Sequence, residues 1–158
     1  MKLFASSIEG SLTMLLCGVF FLGEIHLIAA IAPLSQEQLD EQSELIVTGR
    51  VVAIESKVQK SKIERALGIH RDRVYSIKLE MVSLHKNPPL EQGKGLKELL
   101  VVEAWRPVTR IPPLPGSQGH ESIPKKGNEV KMYLKWSKNK ALWEPLLPNG
   151  IKLVKKEQ

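Results

Sequence analysis

The stretch Leu45-Ile-Val-Thr-Gly-Arg-Val-Val-Ala-Ile-Glu55 decides the fold class. It is dense in β-branched residues, which fit the pleated surface of a sheet better than a helix. Its interior glycine, Gly49, indicates a bulge or a bend in a strand. We therefore predict a β-strand over residues 45–55 and a fold built around a sheet.

Downstream, the segment from Val74 to His85 alternates between apolar and polar residues, with Tyr75, Ile77 and Leu79 on one face. A period of two is typical of a half-buried strand. The same pattern returns from Glu129 to Trp136. Further strands are predicted where short apolar runs lie between turn-forming residues, at 99–106, 141–146 and 151–154.

Upstream of the first strand, Ser35 followed by Gln38 has the form of a capping box, which predicts a short helix over residues 36–44. Five to six strands separated by turns, with one short N-terminal helix, indicate a mainly β fold. We expect a small antiparallel barrel or sandwich.

Two segments interrupt the strand pattern. Residues 56–73 are rich in lysine and arginine and do not alternate, so they are interpreted as a basic connection between strands, with a possible helical turn at 63–67. Residues 107–116 contain several prolines, which lack the N–H donor that a sheet interior requires. This proline-rich segment is therefore expected to form a loop at an edge or rim.

The first 32 residues have the order of a secretory signal peptide: a basic start at Lys2, an uncharged run from Leu12 to Gly23, and small residues around Ala30. Export to a periplasmic or extracellular location follows, with residues 33–158 as a single β-barrel-like domain. The alternative is an uncleaved membrane anchor over residues 11–32, which would bury Glu24 in the bilayer at a cost of a few kcal/mol.

The chain carries 23 basic and 17 acidic residues, a formal charge of +6. Removing residues 1–32 leaves 22 basic against 15 acidic side chains, or +7. A surplus of this kind attracts polyanions through fields that salt weakens. The only cysteine, Cys17, lies in the leader, so a mature chain would contain no disulfide and no cysteine ligand.

No catalytic, cofactor-binding or metal-ligating residue is predicted. The histidines at 70, 85 and 120 lack metal-site spacing, no serine has the nucleophile-elbow pattern, and Gly93-Lys-Gly95 indicates a hairpin tip rather than a phosphate loop. The enzymatic alternative is a site that the fold assembles from dispersed residues such as His85, Glu103 and His120.

A non-enzymatic binding module is the first hypothesis, with an envelope or extracellular protein or an anionic polymer as its partner; export disfavours nucleic acid. Cations and aromatic rings on predicted strands would suit such a ligand through charge and stacking, unless the rings pack in the core. A membrane contact is expected only through residues 11–32, if they are retained. The candidate binding surface comprises Lys57, Lys60, Lys62, Arg65, Arg71, Arg73, Trp136 and Trp143.

Three segments carry a resemblance to a known family. Residues 43–51, 74–86 and 123–134 look like two strands and a proline-and-glycine turn of the netrin-like, or tissue-inhibitor-of-metalloproteinase-like, group of exported proteins. The resemblance implies an oligonucleotide/oligosaccharide-binding (OB) barrel. It transfers no functional residue, because the animal inhibitors of that group contact a protease metal through an N-terminal cysteine that this mature chain would not have.

Overall fold

The computed structural model describes residues 31–64, 68–88, 99–116 and 118–154. The predicted signal segment, apart from its last two residues, lies outside this part of the chain, as do Arg65 and the turn at 93–95. No helix among the described residues is both long and apolar enough to cross a membrane. Within the described ranges the elements are one helix, α1 (Gln36–Gln42), and six strands: β1 (Leu45–Lys60), β2 (Ile69–Lys86), β3 (Leu99–Ile111), β4 (Glu129–Ser137), β5 (Leu142–Pro145) and β6 (Ile151–Leu153).

Five of the strands close into a ring. Neighbours follow the order β1-β2-β3-β5-β4, and β4 pairs again with β1, while β6 lies beside β4. All pairings are antiparallel except the contact of β3 with β5, a single parallel bridge between Val102 and Trp143. This confirms the predicted mainly β, barrel-like fold with one short helix.

The barrel interior is filled by the alternating apolar residues of the strands. Ile77 and Leu79 of β2 are fully buried there, and Tyr75 and Met81 pack against the same cluster, as the period-two pattern predicts. In β4 the inward set is Val130, Met132 and Leu134, which is also fully buried. Burying each large aliphatic side chain contributes about 1.5–3 kcal/mol, so this cluster holds the ring together.

Gly49 lies at an irregularity in β1, close to the point where its pairing with β4 ends and its pairing with β2 continues. The register between β1 and β2 shifts between Thr48 and Gly49, as the sequence predicts, and again between Val51 and Ala53. A Cβ atom at Gly49 would lie 2.5 Å from the carbonyl oxygen of Glu80, so no larger residue fits there. The first half of β1 pairs with β4 inside the barrel, and the second half continues beyond it.

The prediction of a basic connection over residues 56–73 is wrong for most of that range. β1 runs on to Lys60 and β2 begins at Ile69, so these residues form the distal half of a long hairpin. Their side chains are largely exposed on both faces, and no alternation is needed where neither face is buried. We call residues 57–60, 69–74 and 105–111 the arm, because these three paired strand segments continue past the barrel core.

The proline-rich segment is likewise shorter than predicted. Residues 107–111 belong to β3 and pair with β2, with Pro107 opposite Asp72 at a register shift. Within the described residues this part of β3 has β2 as its only strand neighbour, so Pro107 lies on an edge strand, where its missing N–H is tolerated. The expectation of an edge position is confirmed, and the expectation of a loop holds only from Pro112 onward.

The helix α1 is capped as predicted. The Ser35 hydroxyl accepts from the Gln38 N–H at 3.1 Å, and the Gln38 side chain accepts from the Ser35 N–H at 2.9 Å. Leu39 is the buried residue of the helix and packs with Ile46, Tyr133 and Leu146. This second, smaller cluster fastens α1 to the strands β1 and β4. Within the part of the chain that the structure describes, no helix covers the arm.

Candidate binding groove on the arm

The arm has two faces of different chemistry, because side chains alternate along each strand and directly paired residues share a face. On one face, Lys57, Val74 and Trp105 form a rung across the three strands. On the other, one residue along each strand, the rung is Val58, Arg73 and Arg106. We call the first the outer face and the second the basic face.

A groove runs over the outer face. Three cavities of ≈ 330, ≈ 340 and ≈ 360 Å³ all include Glu103 in their walls, so they adjoin one another around this side chain, and we call them together the groove. Trp105 lines two of the three, and Trp136 closes one end. At the other end the walls carry Lys57 on β1 and Lys62 in the turn between β1 and β2.

The middle of the groove holds one lysine between two carboxylates. The Lys140 ammonium bonds to Glu103 of β3 and to Glu144 of β5, the latter at 2.5 Å. Partial burial would lower the pKa of Lys140, but the hydrogen bonds and charges of the two carboxylates outweigh it and raise that pKa above 10.5. The lysine therefore stays charged, and the three groups together carry a charge of −1.

His120 lies beneath this ion-pair cluster and fastens the barrel seam. Nδ1 lies 3.1 Å from both the N–H and the carbonyl oxygen of Trp105, and Nε2 lies 3.1 Å from the carbonyl oxygen of Pro145. In the neutral ring, Nε2–H donates to Pro145 and Nδ1 accepts from the Trp105 N–H. Burial lowers the pKa of His120 below 6.5, although the carbonyls of Pro145 and Trp105, which can accept from the protonated ring, oppose the shift. The ring is thus neutral, and its two nitrogens join β3 to β5.

The predicted site residues are divided between the groove, the basic face and the core. Lys57, Lys60, Lys62 and Trp136 line the groove, whereas Arg71 and Arg73 lie on the basic face. Trp143 is 4% exposed and stacks edge-to-face on Trp136, with ring centroids 5.1 Å apart. Trp143 therefore packs in the core, as the alternative interpretation of the aromatic residues predicts. Arg65 lies outside the described residues.

The cluster of Glu103, Lys140 and Glu144 was not predicted as a site. The spacing of Lys140 and Glu144 is the i, i+4 of a helix surface, and it gives no hint of proximity in a hairpin. Glu103 reaches them only because β3 and β5 become neighbours, which no local pattern reveals.

No family model matches the chain, and no curated protein and no solved structure gives a significant match. The groove is therefore interpreted from its own chemistry.

The residues of the enzymatic alternative are not brought together. His85 lies near the C-terminal end of β2, where it bonds to Thr48. Glu103 is paired with Ser76, which lies nine residues before His85 on the same strand. At about 3.3 Å per residue, the path along β2 between the two sites is about 30 Å. Glu103 and His120 do share a cavity wall, but both ring nitrogens of His120 are engaged by backbone groups. Among the described residues, no three His, Cys, Asp or Glu side chains are grouped to hold a metal ion.

Proposed function

We propose that this chain is an exported, non-enzymatic binding module that holds an anionic polymer in the groove of the arm. The observation that carries the proposal is the composition of the groove: tryptophan rings in its walls and lysines at both ends. The groove crosses the β2–β3 face, next to the turns that follow β1 and β4, and OB barrels bind oligonucleotides and oligosaccharides on the corresponding surface. A kinship with the netrin-like group belongs to the same proposal.

The charge of the groove favours an anionic ligand. Lys57 and Lys62 have no carboxylate partner among the described residues, and Lys135 adds a third such cation beside Trp136. The opposing net charge of −1 from the Lys140 cluster lies between the cationic ends. A polymer with carboxylate or phosphate groups at intervals can engage both ends and cross the middle with a neutral unit.

The rings of Trp105 and Trp136 supply the other half of the recognition. Both are partly exposed and line the groove, and a sugar or base ring stacked on an indole contributes about 1–3 kcal/mol without requiring a particular sequence. If the leader directs export, a polysaccharide with acidic units is a better match than nucleic acid. A protein partner with an acidic segment is the second candidate, since it offers the charge but not the repeated rings.

Polymer binding is tested with polygalacturonate, heparin and neutral dextran as probes. The double variant Lys57→Glu/Lys62→Glu is expected to weaken binding to the two anionic polymers about tenfold or more, since two attractions become repulsions. Lys125→Glu/Lys126→Glu makes the same change in charge at an exposed turn away from the groove, and it serves as the control. Equal weakening in both variants, or binding that salt does not affect, would contradict an electrostatic groove.

Export is tested separately by the intact mass of the protein recovered from its native host. A loss corresponding to about 29–32 residues in the soluble exported fraction supports the secreted module. Full-length protein in the membrane fraction would favour the anchored structural alternative, and full-length soluble protein would reopen nucleic-acid binding.

A further inference from the structure

We infer that the basic face of the arm docks on an anionic lipid bilayer. This face is separate from the groove except at Lys60, which borders both, and its other residues take no part in the proposed polymer site. It is built from rungs of exposed cations and exposed aliphatic side chains on the three strands: Val58, Lys60, Ile69, Arg73, Arg106 and Ile111.

The cations of this face are placed against one another. Arg73 lies directly opposite Arg106 on the neighbouring strand, and Lys60 lies directly opposite Arg71. Like charges at directly opposed positions destabilise a sheet. Glu64 neutralises the second pair, bonding to Arg71 and, at 3.3 Å, to Lys60. Among the described residues no carboxylate neutralises the first pair, which suits a surface that meets anions outside the molecule.

The aliphatic side chains are exposed at the same place. Ile69 and Ile111 are direct partners at the distal end of the arm and are 50% and 56% exposed. Val58 opposes Arg73 and is 51% exposed, and Val108, the extra residue at the bulge of β3, is 50% exposed. A soluble polyanion offers these side chains nothing, because its surface is polar throughout.

A bilayer interface satisfies both groups at once. Aliphatic side chains enter the boundary between headgroups and acyl chains, and lysine and arginine meet the headgroup phosphates and anionic lipids. The Arg106 Nε–H donates to the His120 carbonyl at 2.7 Å, and its terminal nitrogens bond no carboxylate among the described residues. The chemistry of the face therefore matches an anionic membrane more closely than a soluble polymer.

The two faces can be occupied together, since adjacent positions along each strand point to opposite sides of the sheet. A molecule docked through Val58, Arg73 and Arg106 turns its groove, with Lys57 and Trp105, away from the bilayer. The protein would then present an anionic polymer at a membrane surface.

The test is co-sedimentation with vesicles of phosphatidylcholine alone and vesicles containing 30% phosphatidylserine. The measured quantity is the ratio of the two partition coefficients, so any contribution of residues 1–30 that does not depend on lipid charge cancels. We expect at least tenfold preference for the anionic vesicles. Each cation near such a surface is worth about fivefold, so Arg73→Glu/Arg106→Glu is expected to reduce the ratio at least 25-fold, or abolish the preference.

Two further variants keep the test decisive. Arg73→Glu alone leaves the Arg106–His120 bond intact and is expected to reduce the ratio at least fivefold, should the double variant fold poorly. Ile69→Ser/Ile111→Ser removes apolar side chains that are already exposed, and it is expected to weaken binding to anionic vesicles severalfold. The groove variant Lys57→Glu/Lys62→Glu should lose polymer binding and retain vesicle binding to within about threefold.

Equal partition of the native chain into both kinds of vesicle would overturn the inference. So would vesicle binding that depends on the arginines and ignores the two isoleucines, because that result describes a polyanion surface. Neither outcome bears on the proposal that the groove binds an anionic polymer. That proposal would be contradicted by unchanged polymer binding in Lys57→Glu/Lys62→Glu.

Discussion

The barrel is closed by two seams that are built in different ways. Where β1 meets β4, six consecutive residues from Leu45 to Arg50 face partners across the ladder. Where β3 meets β5, the strands share one bridge, and His120 and Lys140 supply the remaining links from their side chains. One seam depends on backbone hydrogen bonds, which every residue type except proline can supply, and the other depends on particular side chains, among them His120 and Lys140.

This difference predicts how each seam fails. A backbone ladder is damaged by a side chain that does not fit between the strands. A seam made of side chains is damaged by removing those side chains and by changing their protonation. Substitutions at Gly49, His120 and Lys140 separate the two cases.

The largest effect is expected for Gly49→Ala, which introduces a Cβ atom 2.5 Å from the Glu80 carbonyl oxygen and 2.7 Å from the Leu79 side chain. Both atoms belong to β2, the strand that pairs with the other edge of β1, and one is backbone while the other is part of the packed core, so the backbone ladder of β1 has no room to yield. We expect a loss of about 3 kcal/mol in the free energy of unfolding, measured by denaturant titration.

Gly127→Ala is the matched control for this variant. Gly127 has φ +87°, and a Cβ atom there would meet nothing within 4 Å. Only the backbone preference is disturbed, so a loss of about 1 kcal/mol is expected. Equal losses in the two variants would mean that β1 and β2 are not as tightly fitted at Gly49 as the distances indicate.

The next effect is expected for His120→Leu, which keeps an apolar volume and removes both ring nitrogens. The Trp105 N–H and the Pro145 carbonyl then lose their partners in a buried place, at a cost of about 2 kcal/mol. Calorimetric or denaturant unfolding measures the change. His85→Leu, at an exposed position, is expected to change stability by less than about 0.5 kcal/mol.

The same seam should respond to acid. Burial lowers the pKa of His120 in the folded state below the 6.5 of the unfolded chain, so the unfolded state takes up the proton first as the pH falls. The contribution of neutral His120 to the free energy of unfolding is complete above pH 6.5, and it is lost as the pH falls from 6.5 through the lower pKa of the folded state. Unfolding measured between pH 8 and 5 should show this dependence in the native chain, and His120→Leu should lack it.

The smallest effect is expected for Lys140→Met, which removes the cation shared by Glu103 and Glu144. The group is partly exposed, so the free energy of unfolding should fall by only about 0.5–1 kcal/mol. The pKa of Lys140 is raised in the folded state, so its contribution is present below pH 10.5 and is lost as the pH rises through the folded value. If Lys140→Met lost more free energy of unfolding than His120→Leu, the Lys140 ion pairs would contribute more to the seam than the His120 hydrogen bonds, contrary to our expectation.

The barrel was predictable from sequence because its strands have one buried face. Tyr75, Ile77 and Leu79 alternate with polar residues, since each second residue enters the core. Gly49 was predictable as an irregularity for the same reason: a glycine inside a β-branched run has no other common explanation.

The arm and the side-chain seam were not predictable in this way. From Glu55 to Lys60 every residue is exposed, so β1 continues there on backbone pairing that leaves no periodic signal. His120 obtains its partners from β3 and β5, 15 and 25 positions away, and a lone histidine in a loop does not indicate such contacts. The groove shares this limit, since Glu103 meets Lys140 only through the assembled barrel.

The ladder between β1 and β4 also governs how the chain reaches its folded state. Leu45 pairs with Leu134, so the strands that complete the ring are almost ninety positions apart, whereas β1 and β2 follow each other directly. Closing a long loop costs entropy before its contacts give any return, and chains dominated by such contacts fold in milliseconds to seconds. The hairpin that carries both faces of the arm can therefore form early, and the ring that anchors it is completed last.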